Sequence, residues 1–388
     1  MGGDVSAALP PLTVIPPEVQ TLADYERLAQ RHMAPAAWAH VQSGAGDGLT
    51  VANNRAAFDR TGLLPRMLTD LRGGHTRRTL FGREHAAPIL FAPIAYQRIA
   101  HPDGELACVR AASAMGLGMV VSTLSSVPLE AIAAAAHDTA RQLGTPPAPL
   151  WFQLYLQESR SASAELVTRA ERAGYEAIVL TVDAAVKRST FALPPGVIAA
   201  NLHDGGDRRQ TSAPRGAILF GTPLADTAPT WDDVAWLRTR TTLPILIKGI
   251  LSAGDAPIAL EHGVDGIVVS NHGGRTLDGA PSALAVLPAI AETVAGAVPL
   301  LLDGGVRSGT DVVKALALGA AAVLVGRPQM HGLAVAGLAG VAHVAHILRG
   351  ELELAMAQLG CPTLDRLGPD CVLTAAPGSV ARPQHRHN

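Results

Sequence analysis

Four side chains that could carry out acid–base and anion chemistry lie just after apolar runs of the sequence. Asp183 and Lys248 each end such a run, while His272 and Arg275 lie three residues apart in a glycine-rich loop. His272 is a candidate proton acceptor, and the forked guanidinium of Arg275 matches a carboxylate. Asp183 could orient His272 and stabilise its protonated form. Together these residues predict proton abstraction beside a carboxylate group.

Lys248 by itself allows several interpretations. It ends the apolar run 244–247, where burial of its charge without a partner would be costly. It could be a Schiff-base nucleophile, hold an anion, or lie in solvent at the end of its strand. Lysine is rare in this chain, and the only others are Lys187 and Lys314.

Two loops that combine glycine with arginine follow the last two apolar runs. They read Asp303-Gly304-Gly305-Val306-Arg307 and Gly326-Arg327. Glycines allow close approach of the backbone, and a helix N-terminus with two arginines can hold a phosphate dianion. The sequence therefore predicts a phosphate site there. It has no P-loop, HExxH or GxSxG motif, the spacing of residues 44–48 does not fit GxGxxG, and the other histidines predict no metal site.

The elements that must position these residues follow a regular alternation. Short apolar runs bounded by Gly or Pro alternate with Ala-rich segments of helical spacing. The predicted strands are 88–95, 118–122, 150–156, 177–183, 243–249, 266–271, 299–304 and 322–326, and the predicted helices are 103–116, 128–140, 161–174, 231–241, 252–262, 282–296, 309–319 and 331–359.

Eight strand–helix units predict an α/β fold of the (β/α)₈ TIM barrel type, which usually takes about 250 residues. A doubly wound sheet is the alternative. In a barrel the candidate residues would meet at the carboxyl ends of the strands. The predicted division is an N-terminal helical cap over 1–87, the barrel over 88–360 and a C-terminal tail over 361–388, with a long loop at 184–230 acting as a lid after the fourth strand.

Composition limits the class of protein. Of 388 residues, 48% are hydrophobic and 16% charged, with a net charge of −2, which excludes a disordered chain and argues against nucleic-acid binding.

Cys108, Cys361 and Cys371 form no CxxC motif, so we expect a reducing, cytoplasmic location. The start of the chain has no signal-peptide pattern. Residues 328–348 lack Asp, Glu, Lys and Arg, and we expect a buried helix there and no membrane attachment.

Residues 270–281, SNHGGRTLDGAP, closely resemble the signature of the FMN-dependent α-hydroxy-acid oxidase and dehydrogenase family, which includes glycolate oxidase, lactate oxidase and mandelate dehydrogenase. The similarity runs from about Leu22 to Gly360 and includes residues 44–47, 54–58, 93–97, 101–105, 152–155, 181–183, 247–249 and 302–307. It implies an FMN-binding barrel and a homotetramer. The implied reaction oxidises an L-2-hydroxy acid to the 2-oxo acid, with oxygen as the favoured electron acceptor and hydrogen peroxide as product.

The resemblance also implies roles for individual residues. His272 would be the base and Asp183 its partner, Lys248 would stabilise the reduced flavin, Tyr155 would bind the substrate hydroxyl, and Arg275 would anchor the carboxylate. The flavin ring would be lined by Pro93, Ile94, Ala95, Ser122, Gln153 and Thr181, and the remaining FMN contacts would come from Lys248, Ser270, Asp303, Gly304, Gly305, Arg307, Gly326 and Arg327.

Three departures from the family pattern concern the substrate. His40 occupies the place of a substrate-binding tyrosine, and Leu124 occupies the place of a bulky aromatic residue in some relatives. The loop after the fourth strand lacks the usual second arginine, for which Arg188 is the candidate replacement. We therefore expect FMN binding with an altered or wider substrate preference, such as a larger apolar or aryl 2-hydroxy acid.

The alternatives fall into different classes. One is a quinone- or cytochrome-linked 2-hydroxy-acid dehydrogenase, and another is a flavin-binding member of the family whose substrate site is degenerate. A third is a non-redox barrel lyase that uses Lys248 as a Schiff-base former. The flavin type of isopentenyl-diphosphate isomerase shares the barrel but not the motif of His272 and Arg275.

Overall fold

The computed structural model describes residues 8–185, 191–202, 220, 225 and 228–374. Eight parallel strands close into a barrel in which the first strand pairs with the eighth, which confirms the predicted (β/α)₈ architecture. In chain order the barrel strands are Ile89–Phe91, Gly118–Ser122, Leu150–Leu154, Ala177–Thr181, Ile245–Ile250, Gly266–Ser270, Leu300–Asp303 and Ala322–Val325. The helices that surround them are Glu105–Met115, Leu129–Leu143, Arg160–Arg172, Trp231–Arg238, Asp255–Glu261, Ala283–Val294, Gly309–Ala317 and Arg327–Gln358.

The strands are apolar on both faces because both faces are covered. Successive side chains of a strand point to opposite sides of the sheet. In the fourth strand Val179 belongs to the cluster inside the barrel, whereas Ile178 and Leu180 pack in the outer layer against the helices. This double burial explains why the sequence shows continuous apolar runs and no alternation.

The first strand is shorter than predicted. It ends at Phe91, whereas the apolar run continues to Ala95. Pro93 has no N–H to donate to a neighbouring strand, and Tyr96 adopts a positive φ of 56° that turns the chain. Ala92 still donates its N–H to the carbonyl of Val325 at 2.9 Å, and the apolar residues 93–95 leave the sheet and become part of a loop at the barrel mouth.

We expected the N-terminal segment 1–87 to be helical, but it also contains strands. Its helices are Leu22–His32, Pro35–Gln42 and Leu49–Arg60, but it also contains the short strands Thr61–Leu63, Arg78–Leu80 and Arg83–His85. The last two form a hairpin that places Leu80 and Phe81 against the cluster inside the barrel, where the Phe81 ring contacts Trp151 edge-on. The hairpin thus covers the amino-terminal end of the barrel.

The first fourteen residues of the predicted tail, 361–374, are packed against the rest of the protein. Cys361, Leu364 and Cys371 are buried, and Val372–Thr374 pairs antiparallel with Thr61–Leu63. Such pairing joins segments that lie far apart in sequence, so no local pattern predicts it. Residues 375–388 lie outside the described part of the chain.

The uncharged stretch 328–348 lies in helix Arg327–Gln358, which is sharply kinked at Ala336 and Gly337. Within the described residues it is the one helix long and apolar enough to cross a membrane, and 72% of its most apolar window is buried inside the protein. The two arms meet at Gly332 and Gly340, where a Cβ on Gly332 would lie 2.7 Å from the Gly340 carbonyl oxygen. The kink therefore depends on the absence of side chains at this crossing.

We expect Gly340→Ala to destabilise the protein by about 1–3 kcal/mol, because its Cβ would overlap with the backbone of Gly332. Gly350→Ala is the matched control in the same helix, since a Cβ there meets nothing within 4 Å. That control should stabilise by up to about 1 kcal/mol through helix propensity. Urea unfolding of both variants measures the difference, and equal unfolding midpoints would show that the crossing has no steric limit.

Candidate active site

A cavity opens at the carboxyl ends of the barrel strands, where the sequence placed the chemistry. Every strand except the fourth contributes predicted residues to its lining, and the N-terminal segment contributes His40. The predicted residues that line it are His40, Pro93, Ile94, Ala95, Ser122, Leu124, Tyr155, Lys248, His272, Arg275, Asp303, Gly304, Gly305, Arg307, Gly326 and Arg327. Asp183, Gln153, Thr181 and Ser270 lie next to this lining and contact it through hydrogen bonds or strand pairing.

Lys248 is almost completely buried, and its charge has a partner. Its Nζ lies 2.8 Å from Oδ2 of Asp303 and donates to Oγ of Ser270 at 3.0 Å. Burial lowers the pKa of Lys248, but the carboxylates of Asp303 and Asp183 outweigh burial and hold that pKa above its usual value. The ammonium therefore stays charged, which suits an electrostatic role and disfavours a Schiff-base nucleophile.

The backbone conformation of His272 and its hydrogen bonds hold the imidazole ring in one position. His272 adopts a positive φ of 57°, and its N–H donates to Oγ of Ser270 at 2.9 Å. The ring Nδ1 lies 2.9 Å from Oδ1 of Asp183. A carboxylate at Nδ1 favours the tautomer with the proton on that nitrogen, which leaves Nε2 as the proton acceptor. Gly249 makes this approach possible, because a Cβ there would lie 2.6 Å from Cβ of Asp183.

Arg275 is fixed at one end and has donors left at the other. Its Nη1 donates to the carbonyl oxygens of His40, Val41 and Ser43 at 2.8, 3.2 and 3.1 Å. Its Nε and Nη2 form no hydrogen bond with the part of the chain that the structure describes. Burial lowers the pKa of Arg275, but an arginine keeps its charge at neutral pH. A rigid cation with two donors left is suited to a carboxylate.

The loops after the seventh and eighth strands concentrate positive charge. The pKa of Arg307 is lowered to about 10 by burial and by Arg327. The pKa of Arg327 is likewise lowered to about 10, by burial and by Arg275. Cations that repel one another in a buried site favour a bound anion. Gly326 precedes the helix that begins at Arg327, so the helix N-terminus adds to this preference.

The two arginines of this region are held differently. Nε, Nη1 and Nη2 of Arg327 each donate to a backbone carbonyl, of Val41, Gly273 and Ser43 respectively. Arg307 donates from Nη1 to the carbonyl of Val306. Arg327 therefore ties the N-terminal segment to the barrel, whereas Arg307 keeps more of its donors for an anion.

The opposite end of the cavity offers buried donors. Oε1 of Gln153 accepts from Ser122 Oγ at 3.1 Å and from the N–H of Thr123 at 3.2 Å, so the amide presents Nε2 elsewhere. Among the described residues, neither Gln153 Nε2 nor Thr181 Oγ1 has a hydrogen-bond partner, although both atoms are buried. With the ammonium of Lys248, they match the oxygen and nitrogen acceptors of a flavin pyrimidine edge. The residues at both ends of the cavity therefore fit FMN.

Several side chains beside the cavity were not singled out in the sequence, although the loop that carries most of them was predicted as a lid. Phe191 stacks on His40 with ring centroids 4.2 Å apart. Leu193, Val197 and Leu202 pack against an apolar cluster that includes Tyr96 and Leu124. Of the predicted lid 184–230, residues 191–202 thus lie on the cavity side, and Arg188 lies outside the described residues. Tyr96 and Ile99 also line the cavity. Tyr96 belongs to the motif 93–97, which could have identified it, whereas residues 191–202 were predicted only as part of the lid.

Gly305→Ala should weaken FMN binding by about 10-fold or more, a loss equal to one strong hydrogen bond. Its Cβ would lie 2.9 Å from the carbonyl oxygen of Asn54 and from the Phe58 ring, so the loop must move. Gly279→Ala is the matched control, since it has a similar positive φ but a Cβ there meets nothing within 4 Å. Titration of flavin fluorescence measures both. Equal affinities would show that the space at Gly305 is not needed for binding.

Comparison with known proteins agrees with this geometry. Residues 29–374 match the family model described as FMN-dependent dehydrogenase. The chain is 49% identical to L-lactate oxidase from Alicycliphilus denitrificans, over 92% of this chain and 98% of that protein. It is 41% identical to glycolate oxidase from Spinacia oleracea, over 90% of this chain and 94% of that protein.

A solved structure is similar over almost the same range. The crystal structure of mandelate oxidase with (S)-4-hydroxymandelic acid has a TM-score of 0.80 and 41% sequence identity, covering 92% of this chain and 99% of that one. The resemblance inferred from residues 270–281 is thereby confirmed, and with it the oxidoreductase class and FMN as cofactor. The chain belongs to the FMN-dependent dehydrogenase family.

Proposed function

We propose that this protein oxidises an L-2-hydroxy acid with an apolar side chain to the corresponding 2-oxo acid, with oxygen as electron acceptor and hydrogen peroxide as the second product. The observation that carries the proposal is one cavity lined by His272, Arg275, Tyr155 and Lys248, with Asp183 bonded to His272. This set supplies a base, a carboxylate anchor, a hydroxyl and a fixed positive charge. Relatives named L-lactate oxidase and glycolate oxidase support the reaction and the choice of oxygen.

Each residue contributes one part of the chemistry. Arg275 binds the substrate carboxylate through Nε and Nη2, and Tyr155 contacts the substrate hydroxyl. His272 accepts a substrate proton at Nε2, and Asp183 stabilises the imidazolium that results. Bound FMN would supply the redox chemistry, taking up two electrons and the remaining hydrogen of the substrate CH–OH group, so that oxygen would leave as hydrogen peroxide. Lys248 holds a buried positive charge in the cavity, which would stabilise negative charge on a flavin bound there.

The substrate side chain is expected to lie against apolar residues. Tyr96, Ile99 and Leu124 line the cavity, and the segment 191–202 packs behind them. Such a wall contributes little to the binding of glycolate, which has no side chain, and favours a methyl, alkyl or aryl group. The names lactate oxidase and mandelate oxidase among the relatives support this range. A cytoplasmic location and a homotetramer stay predictions.

Substrate preference can be measured directly. We expect kcat/KM for L-lactate or L-mandelate to exceed that for glycolate by about 10-fold or more, since even one methyl group contributes roughly that much. Oxygen consumption and peroxide formation with the three acids measure it. Equal values for glycolate would contradict the role of the apolar wall. A flavin that substrate reduces under anaerobic conditions, but that added oxygen does not reoxidise, would contradict the choice of acceptor.

Lys248→Met should slow anaerobic flavin reduction by about 100-fold or more, because a preorganised charge at the reacting edge is removed. Lys248→Arg keeps the charge and is the matched control, although its forked group does not fit the site of a compact ammonium. Rapid mixing with substrate measures the reduction rate, and thermal unfolding measures stability. A reduction rate unchanged in Lys248→Met would contradict the electrostatic role.

A further inference from the structure

Arg55 lies outside the barrel, in helix Leu49–Arg60, but its guanidinium reaches the loop after the seventh strand. Its Nη1 donates to the carbonyl oxygen of Gly305 at 2.7 Å. Nη1 and Nη2 also donate to the two carboxylate oxygens of Asp311, at 2.6 and 2.9 Å. One side chain of the N-terminal segment thus holds both the glycine loop and the first turn of the helix that follows it.

Asp311 connects this contact to a second point of the loop. Its Oδ2 accepts from the backbone N–H of Arg307 at 2.8 Å, in addition to the bond from Arg55. The Asp311 side chain is only 2% exposed. The carbonyl of Gly305 and the amide of Arg307 are therefore both fixed by the same ion pair, which sets the backbone between them.

The environment makes this pair stronger than an ordinary surface pair. A two-pronged Arg–carboxylate bond with a buried acid is well ordered, and loss of the arginine leaves a buried charge without a partner. Arg55 also bonds Asp59 through Nε and Nη2, at 3.1 and 2.9 Å. The Asp59 side chain is 64% exposed and is four residues away on the same helix. The bonds to Asp311 therefore connect Arg55 to the loop, whereas the bonds to Asp59 stay within its own helix.

We propose that Arg55 is a positioning residue for the phosphate of FMN, and that through Gly305 and Asp311 it holds loop 304–307 in the shape that receives the phosphate. The proposal rests on the proposed function, since it requires bound FMN, and on the phosphate of FMN lying beside Arg307, where positive charge is concentrated. Arg55 itself does not line the cavity, so it acts through the loop.

Riboflavin separates this role from a general effect on folding, because it has the ring of FMN without the phosphate. Full-length protein freed of flavin is titrated with FMN and with riboflavin, and the dissociation constants are compared. Arg55→Met should raise Kd for FMN by about 10-fold or more and leave Kd for riboflavin nearly unchanged. Asp59→Asn, the matched control, should change neither. An equal rise for both ligands, or no rise for FMN, would overturn the proposal.

Two further variants keep the test decisive. Arg55→Lys retains the charge beside Asp311 but cannot bond Gly305 and both carboxylate oxygens together, so it should fold normally and still lose part of the preference for FMN. Arg307→Met tests the placement of the phosphate itself. If Arg307→Met loses the preference for FMN and neither Arg55 variant does, the role of Arg55 is wrong. If Arg307→Met keeps that preference, the placement of the phosphate is wrong and the proposal for Arg55 is overturned with it.

Discussion

The ammonium of Lys248 and the carboxylate of Asp303 lie 2.8 Å apart at the mouth of the barrel, almost without contact with solvent. Removal of two charges from water is expensive, and their attraction offsets this cost only when the geometry is good and the remaining donors and acceptors are bonded. Ser270 meets that requirement, because its hydroxyl lies within hydrogen-bond distance of both groups and also accepts from the backbone of His272. Lys248 and His272 are therefore fixed by one small network.

Adjacent strands explain how this network forms. Ser270 and Asp303 end the sixth and seventh strands, and Lys248 lies near the end of the neighbouring fifth strand, just before an irregularity in its pairing. Parallel strands present their carboxyl ends at the same side of a barrel. A polar residue after each apolar run is a local feature, so the sequence predicts this part of the site well. Gly249 and Gly304, which follow two of these residues, both adopt positive φ values, Gly249 at the irregularity of the fifth strand and Gly304 just after the seventh strand.

Other contacts could not be predicted, because they join distant segments without a local pattern. The stack of Phe191 on His40 and the bond of Arg55 to Asp311 are of this kind. The hydrogen-bond partners of a single residue, Arg327, could not be predicted either. Its position in a Gly-Arg pair predicts a phosphate ligand, but three of its nitrogens bond backbone carbonyls of the N-terminal segment and the sixth loop. The type and position of a residue indicate which bonds it can make, and only the fold decides which partners are near.

Different parts of the chain form the proposed reacting end of the cavity and the wall proposed to contact the substrate side chain. The proposed base His272, the buried charge of Lys248 and the proposed phosphate loops follow strands five to eight, which are held by a continuous hydrogen-bonded sheet. The wall near the substrate side chain comes from His40, the first two loops and residues 191–202, which pack mainly through apolar contacts. Apolar contacts depend on size and shape more than on direction, so substitutions there change volume without breaking a hydrogen-bond network. Two of the three departures noted in the sequence, His40 and Leu124, lie in this wall. The barrel can therefore keep one reaction while the accepted side chain changes.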